Sequence, residues 1–225
     1  MNFLSIDVGT TCIKYGLYEE QGKMCEYDVQ EYALKEVDGQ KYVDIEKIVD
    51  RVKDIVKRVS SRYSVDAVSF SSIGESFVLL DENDKILFYP MLYTDNRGEE
   101  QASKITEVLC EEEYYKLFGI IPHAMYSVSK LLYIKEKEPE IMKKAKKVML
   151  VCDYLGYVLT GEAVIDYALA SRTGVFDIKN LEFSTCMLDK LGLSGLSFSK
   201  PQKTGSIVGK VKSEFCDGDV TLVLG

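Results

Sequence analysis

The chain opens on a short apolar run over residues 3–8 that ends in an acid and a glycine. A second run, Cys12 to Tyr18, follows the tight turn Gly9-Thr10-Thr11, and a third, around Lys23 to Gln30, follows Glu19-Glu20-Gln21-Gly22. Short runs separated by turn residues predict an antiparallel three-strand meander with no helix after the glycine. Beyond Asp44, a plausible helix N-cap, Ile45, Ile48, Val49, Val52, Ile55, Val56 and Val59 recur at three and four spacing. That period predicts an amphipathic helix to about Tyr63, with Asp54 and Arg58 paired on its polar face. Val65 to Phe70 then read as a strand, Ser71 to Ser76 as a loop, and Phe77 to Leu80 with Ile86 to Tyr89 as a hairpin turning at Asp81-Glu82-Asn83-Asp84. Helices are expected over 97–117, over Ser129 to Glu138 and from Pro139 through Ala145, then a strand from Val148 to Cys152. The tail reads as a turn and short strand over Thr204 to Val211 and a last strand over Val220 to Leu224, while Phe88, Tyr89 and Tyr93 are expected to pack in the core or against strands.

No low-complexity linker or internal repeat interrupts this alternation, so one compact lobe is expected. With 225 residues, 46% hydrophobic and 28% charged, the chain can bury a sizeable core. The net charge of −8 argues against nucleic acid or an anionic membrane as main partner, because both require clustered excess Lys and Arg. Lys143, Lys144, Lys146 and Lys147 are interleaved with acids and read as a solvated helix face. The first residues carry no basic segment ahead of an apolar one, and no apolar run reaches membrane-spanning length. The six cysteines include no CxxC pair and there is one histidine, His123, so neither a zinc cage nor a disulfide framework is indicated. Reduced thiols and a cytoplasmic location are the expectation.

The segment Ile6-Asp7-Val8-Gly9-Thr10-Thr11-Cys12-Ile13-Lys14 holds the parts that phosphoryl transfer requires. A glycine turn lets backbone N–H groups and two hydroxyls approach phosphate oxygens, an acid at a strand end can hold hydrated Mg²⁺, and a lysine supplies a point charge. Taken alone, the same residues also describe an ordinary β-hairpin. Gly205-Ser206-Ile207-Val208-Gly209-Lys210 is one residue short of a Walker A loop and is followed by Val211 where Ser or Thr is required, and no GxGxxG occurs.

The leading Asp-x-Gly-Thr-Thr hairpin at the head of a meander resembles the actin-like ATPase superfamily. Four later segments narrow it: Ser69 to Ser76, Tyr93-Thr94-Asp95-Asn96-Arg97, Ser129-Lys130-Leu131-Leu132, and Asp166 to Gly174. With Thr204 to Gly209 they resemble, in order, the FGGY carbohydrate kinases, a family that includes xylulose, gluconate, glycerol and fuculose kinases. The resemblance implies an α/β lobe of ribonuclease-H-like, actin-like type, with a mixed sheet, an antiparallel three-strand start and flanking helices. It implies ATP and Mg²⁺ as cofactors, gripped by Asp7, Gly9, Thr10, Thr11 and Lys14, with Asp7 toward the metal. It implies a small sugar or sugar acid, such as xylulose, gluconate or a related polyol, bound near Gly74, Glu75, Asp95 and Arg97, with His123 and Asp153 as further wall residues. Read singly, Glu75 is also a plain loop acid, Arg97 a helix-start partner and His123 a satisfied loop residue. The Asp166 to Gly174 segment is expected to fix a loop through Asp and Ser hydrogen bonds.

Family members are about twice this length, and the resemblance places their catalytic Asp after the strand that here ends at Gly225. Residues 1–225 are therefore expected to be the N-terminal phosphate- and sugar-binding lobe, with no catalytic base and no adenine-holding second lobe, and to be inactive alone. A homodimer is left open. The rival readings are an actin-like nucleotide-switch ATPase, which has no use for the Asp95-Asn96-Arg97 element, and a stand-alone sugar-binding module.

Overall fold

In β1 (Asn2–Val8), alternation buries Leu4, Ile6 and Val8, and in β2 (Cys12–Glu19) it buries Ile13, Tyr15 and Leu17, so the two strands share one apolar face. A computed structural model describes all 225 residues. β1 and β2 pair antiparallel in the register Ile6↔Tyr15 and Asp7↔Lys14, and β3 (Met24–Glu31) pairs antiparallel with β2. On its other side β1 pairs parallel with Ala67–Ser72, which pairs parallel with Thr221–Leu224, and Ile207–Lys210 closes the edge antiparallel. The result is a six-stranded sheet, mixed and with an antiparallel three-strand start as the resemblance implied.

The helix α1 (Ile45–Arg62) starts where Asp44 accepts a hydrogen bond from the Lys47 N–H at 3.2 Å. Its stripe Ile45, Ile48, Val52, Ile55, Val56 and Val59 is wholly buried. Arg58 reaches Asp54 at 3.8 Å but makes its closer polar contacts with Tyr15 and Glu26.

Where one compact lobe was expected, the chain divides into two compact units. The first holds Met1–Ile73, Val151–Asp166 and Gln202–Gly225, and the second Gly74–Leu150 with Tyr167–Pro201. The second unit is built on Phe77–Leu80, buried along its whole length between Ile86–Phe88 and Lys147–Leu150, with Ser197–Phe198 at the edge.

Three expectations are corrected. The single helix over 97–117 is two, Glu99–Val108 and Glu111–Phe118, separated by Leu109 in an extended conformation. Three glutamates, 111 to 113, restart the helix where negative charge meets the positive end of its dipole. The strand expected to run to Cys152 ends at Leu150, and Val151–Thr160 is a helix that carries Cys152 and Asp153. Tyr93 is 46% exposed rather than packed in the core. All six cysteines are free, and no helix is long and apolar enough to cross a membrane.

Candidate functional site

In the first unit, Gly9, Thr10 and Thr11 link β1 to β2 in a turn closed by the Gly9 N–H donating to the Cys12 carbonyl at 3.0 Å. A Cβ at Gly9 would lie 3.3 Å from that same carbonyl oxygen, so the tight turn favours glycine. Asp7 and Lys14 are cross-strand partners on the face opposite the buried one. Asp7 and Thr10 are half-buried, and Thr11 and Lys14 are exposed. The side chains of all four make no hydrogen bond or ion pair within the chain, and neither do the N–H groups of Thr10 and Thr11. One carboxylate, one ammonium, two hydroxyls and two N–H groups are thus left to meet a ligand, a donor set that suits phosphate oxygens and a hydrated divalent cation. The parallel strands bring further chain to this end: Leu224 is level with Phe70, and Phe70 with Ile6, one residue short of Asp7. No group of three or more His, Cys, Asp or Glu side chains gathers to hold a metal by itself.

In the second unit the first turn of the helix Ser127–Lys137 is a hub for four loops. Ser127 Oγ donates to the Glu75 carbonyl at 3.0 Å, the Val128 N–H to the Thr173 carbonyl at 2.8 Å, and Ser129 Oγ to the His123 carbonyl at 2.9 Å. Lys130, fully buried, donates through Nζ to the Leu92 carbonyl at 2.7 Å and the Met125 carbonyl at 3.2 Å. Burial pushes its ammonium down to about 8, although the nearby Asp95 and Glu75 carboxylates oppose the shift. Gly98, at φ +108°, lies so close to this hub that a Cβ would stand 2.9 Å from the Ser129 carbonyl carbon and oxygen.

The same loops carry two intra-unit ion pairs. Arg172 donates to Glu75 Oε1 through Nε at 2.7 Å and also through Nη2, and its guanidinium lies 4.8 Å from the centre of the Tyr126 ring. Arg97 donates to both Asp95 oxygens through Nε at 3.0 Å and to Oδ2 through Nη2 at 2.5 Å. Burial alone would raise the Asp95 carboxyl, but hydrogen bonds from the Arg97 side chain and backbone outweigh it and hold it below the usual carboxylate range. Glu75, Asp95, Arg97, Lys130 and Arg172 therefore bring three positive charges to two negative ones.

The sequence profile of the FGGY family of carbohydrate kinases, N-terminal domain, matches residues 2–219. The chain belongs to that family. A gluconokinase of Bacillus subtilis (strain 168) is 33% identical over 226 residues, covering 99% of this chain and 43% of the relative. Crystal structures of a gluconate kinase and of a ligand-bound xylulose kinase, both from Lactobacillus acidophilus, each superpose on 100% of this chain and 47% of theirs, with TM-score 0.89 and 27% identity. The chain thus spans about half the length of the relatives it matches. Solved sugar-kinase structures also bear out the actin-like class of the fold.

Within this FGGY domain the expected site residues fall in two sets. Asp7, Gly9, Thr10, Thr11, Lys14 and Asp153 belong to the first unit; Gly74, Glu75, Asp95, Arg97 and His123 belong to the second. Asp153 sits buried in the first turn of its helix, where its charge, after burial, helps push the neighbouring Cys152 thiol up to about 12. His123 is exposed and its Nδ1 accepts the Met125 N–H at 3.1 Å, the satisfied loop histidine that the sequence also allowed. In the Asp166 to Gly174 segment, Ser171 bonds locally to Ala168, and Arg172 and Thr173 make long-range ties to Glu75 and Val128. Sequence reasoning missed Lys130, Arg172, Gly98 and Tyr32. Lys130 had a signal, a lysine set among the apolar residues of a helix start.

Proposed function

We propose that this chain is the N-terminal lobe of an ATP-dependent kinase that phosphorylates a hydroxyl of a small sugar or sugar acid. The observation that carries the proposal is the β1–β2 turn, where Asp7, Thr10, Thr11 and Lys14 bring donors and a carboxylate with no partner in the chain to one strand end. Magnesium-bound ATP held there supplies the transferable phosphoryl group. Lys14 and the Thr10 and Thr11 donors bind and orient phosphate oxygens, and Asp7 holds the hydrated cation. The proton acceptor for the attacking hydroxyl, and the adenine-holding lobe, are assigned to chain beyond Gly225, because Thr221–Leu224 runs parallel to β1's neighbour and leads the following residues to the strand end that carries Asp7, one strand away.

The sugar is assigned to the Glu75, Asp95 and Arg97 loops of the second unit, with Gly74 and His123 as wall residues. The excess of positive charge among Glu75, Asp95, Arg97, Lys130 and Arg172 favours an anionic sugar acid such as gluconate over a neutral polyol, in line with what the gluconate and gluconokinase relatives are named for. Sugar-dependent ADP release by the product of the complete reading frame, across aldonates, pentuloses and polyols, tests the proposal. Release with an aldonate above the others supports it, and release that no sugar stimulates refutes it in favour of a nucleotide switch.

A further inference from the structure

The phosphate turn is held from outside by one residue. Cys12 is level with Glu31 in the β2–β3 register, so the chain leaving β3 passes directly beside Thr11. The next residue, Tyr32, donates its backbone N–H to the Thr11 carbonyl at 2.9 Å and its phenol hydroxyl to the Gly9 carbonyl. Its side chain is buried, with the residue 7% exposed. The two carbonyls that flank Thr10 are thereby both taken up by Tyr32.

A carbonyl oxygen turned toward a phosphate repels it, whereas successive N–H groups attract it. With the Gly9 and Thr11 oxygens committed to Tyr32, the donors of Thr10 and Thr11 are left to meet an anion, and among the three turn residues only the Thr10 carbonyl stays uncommitted. The clamp also removes freedom from a turn whose glycine would otherwise sample many conformations, and a turn ordered before binding loses less entropy on binding.

We infer that Tyr32 is a positioning residue for the nucleotide phosphates, acting through the Gly9 and Thr11 carbonyls without touching the ligand. The inference rests on the kinase reading for its kinetic consequence but not for its binding consequence. Removing the hydroxyl frees one carbonyl and loosens one side of the turn, while the ring still fills its buried site.

The test compares Tyr32→Phe with the unaltered product of the complete reading frame, using Mg-ADP binding by calorimetry and steady-state kinetics with ATP and sugar varied separately. Tyr114→Phe, which deletes the buried hydroxyl that donates to the Gly174 carbonyl at 2.5 Å in the second unit, serves as the control. The expected result is a 5- to 10-fold weaker Mg-ADP Kd and higher KM for ATP in Tyr32→Phe, about the factor that one lost positioning hydrogen bond gives, with the sugar KM within twofold and Tyr114→Phe leaving the nucleotide Kd unmoved. Unchanged nucleotide parameters in Tyr32→Phe, an equal rise in both KM values, or an equal nucleotide loss in Tyr114→Phe overturns the inference. Should the unaltered protein bind Mg-ADP without sugar-dependent turnover, the kinase reading fails and the Kd comparison still decides the role of Tyr32. Should it bind no nucleotide at all, both are overturned.

Discussion

Arg172 holds Glu75 through two nitrogens on a single carboxylate oxygen, across 97 positions of sequence. Glu75 is 8% exposed, so its charge depends on that partner, and the loop that follows Ile73 is tied to the Tyr167–Ser171 helix end by this pair. Breaking a buried pair from one side leaves an uncompensated charge. Arg172→Ala is expected to lower unfolding free energy by about 2–4 kcal/mol, and the Glu75→Gln/Arg172→Ala double variant by clearly less than the sum of the singles. Denaturant unfolding of the four proteins checks this, and strict additivity would remove the pair from the account.

Lys130 gives a pH dependence with a definite sign. Its ammonium titrates near 8 in the fold, against an ordinary 10.5 in the unfolded chain. Between these values the unfolded chain binds more protons, so the contribution of Lys130 to stability rises with pH across that window and is lost as pH falls through 8. The stability of the unaltered protein relative to Lys130→Met is expected to increase by about 1–2 kcal/mol between pH 8 and 9.5. Urea unfolding of both proteins at the two pH values measures it, and a difference independent of pH contradicts the burial argument.

Gly98 and Gly22 separate strain from crowding. Both have positive φ, +108° and +83°, but a Cβ at Gly98 meets the Ser129 backbone while one at Gly22 meets nothing within 4 Å. Gly98→Ala is expected to cost about 2–4 kcal/mol and to raise the sugar KM by shifting the Asp95 to Arg97 loop. Gly22→Ala is expected to cost about 1 kcal/mol. Equal losses of Tm in the two variants would show that the Gly98 contact yields.

The meander, α1 and the hairpin over 77–88 could be read from the sequence because each has a clear period bounded by turn residues. The break after Val108 could not, because Ile105, Val108 and Leu109 continue the apolar spacing into the next helix. The apolar run Val148 to Cys152 fits strand and helix equally by pattern, and only packing divides it after Leu150. The turn that carries Asp7, Thr10, Thr11 and Lys14 was legible as a turn because all of it lies within a few residues. Arg172 and Tyr32 were not, since the Glu75 carboxylate and the Gly9 carbonyl they hold are 97 and 23 positions away and no local pattern announces such a partner; the apolar setting of Lys130 was a signal, but it did not name the Leu92 carbonyl 38 positions away.

The placement of the phosphates on the β1–β2 turn is tested most directly by Asp7→Ala in the product of the complete reading frame, followed by ADP release with Mg-ATP and the sugar that the panel selects. The account predicts a fall in kcat of roughly 10²–10³ with the sugar KM within threefold. An unchanged kcat, or a sugar KM that rises while kcat holds, would contradict it.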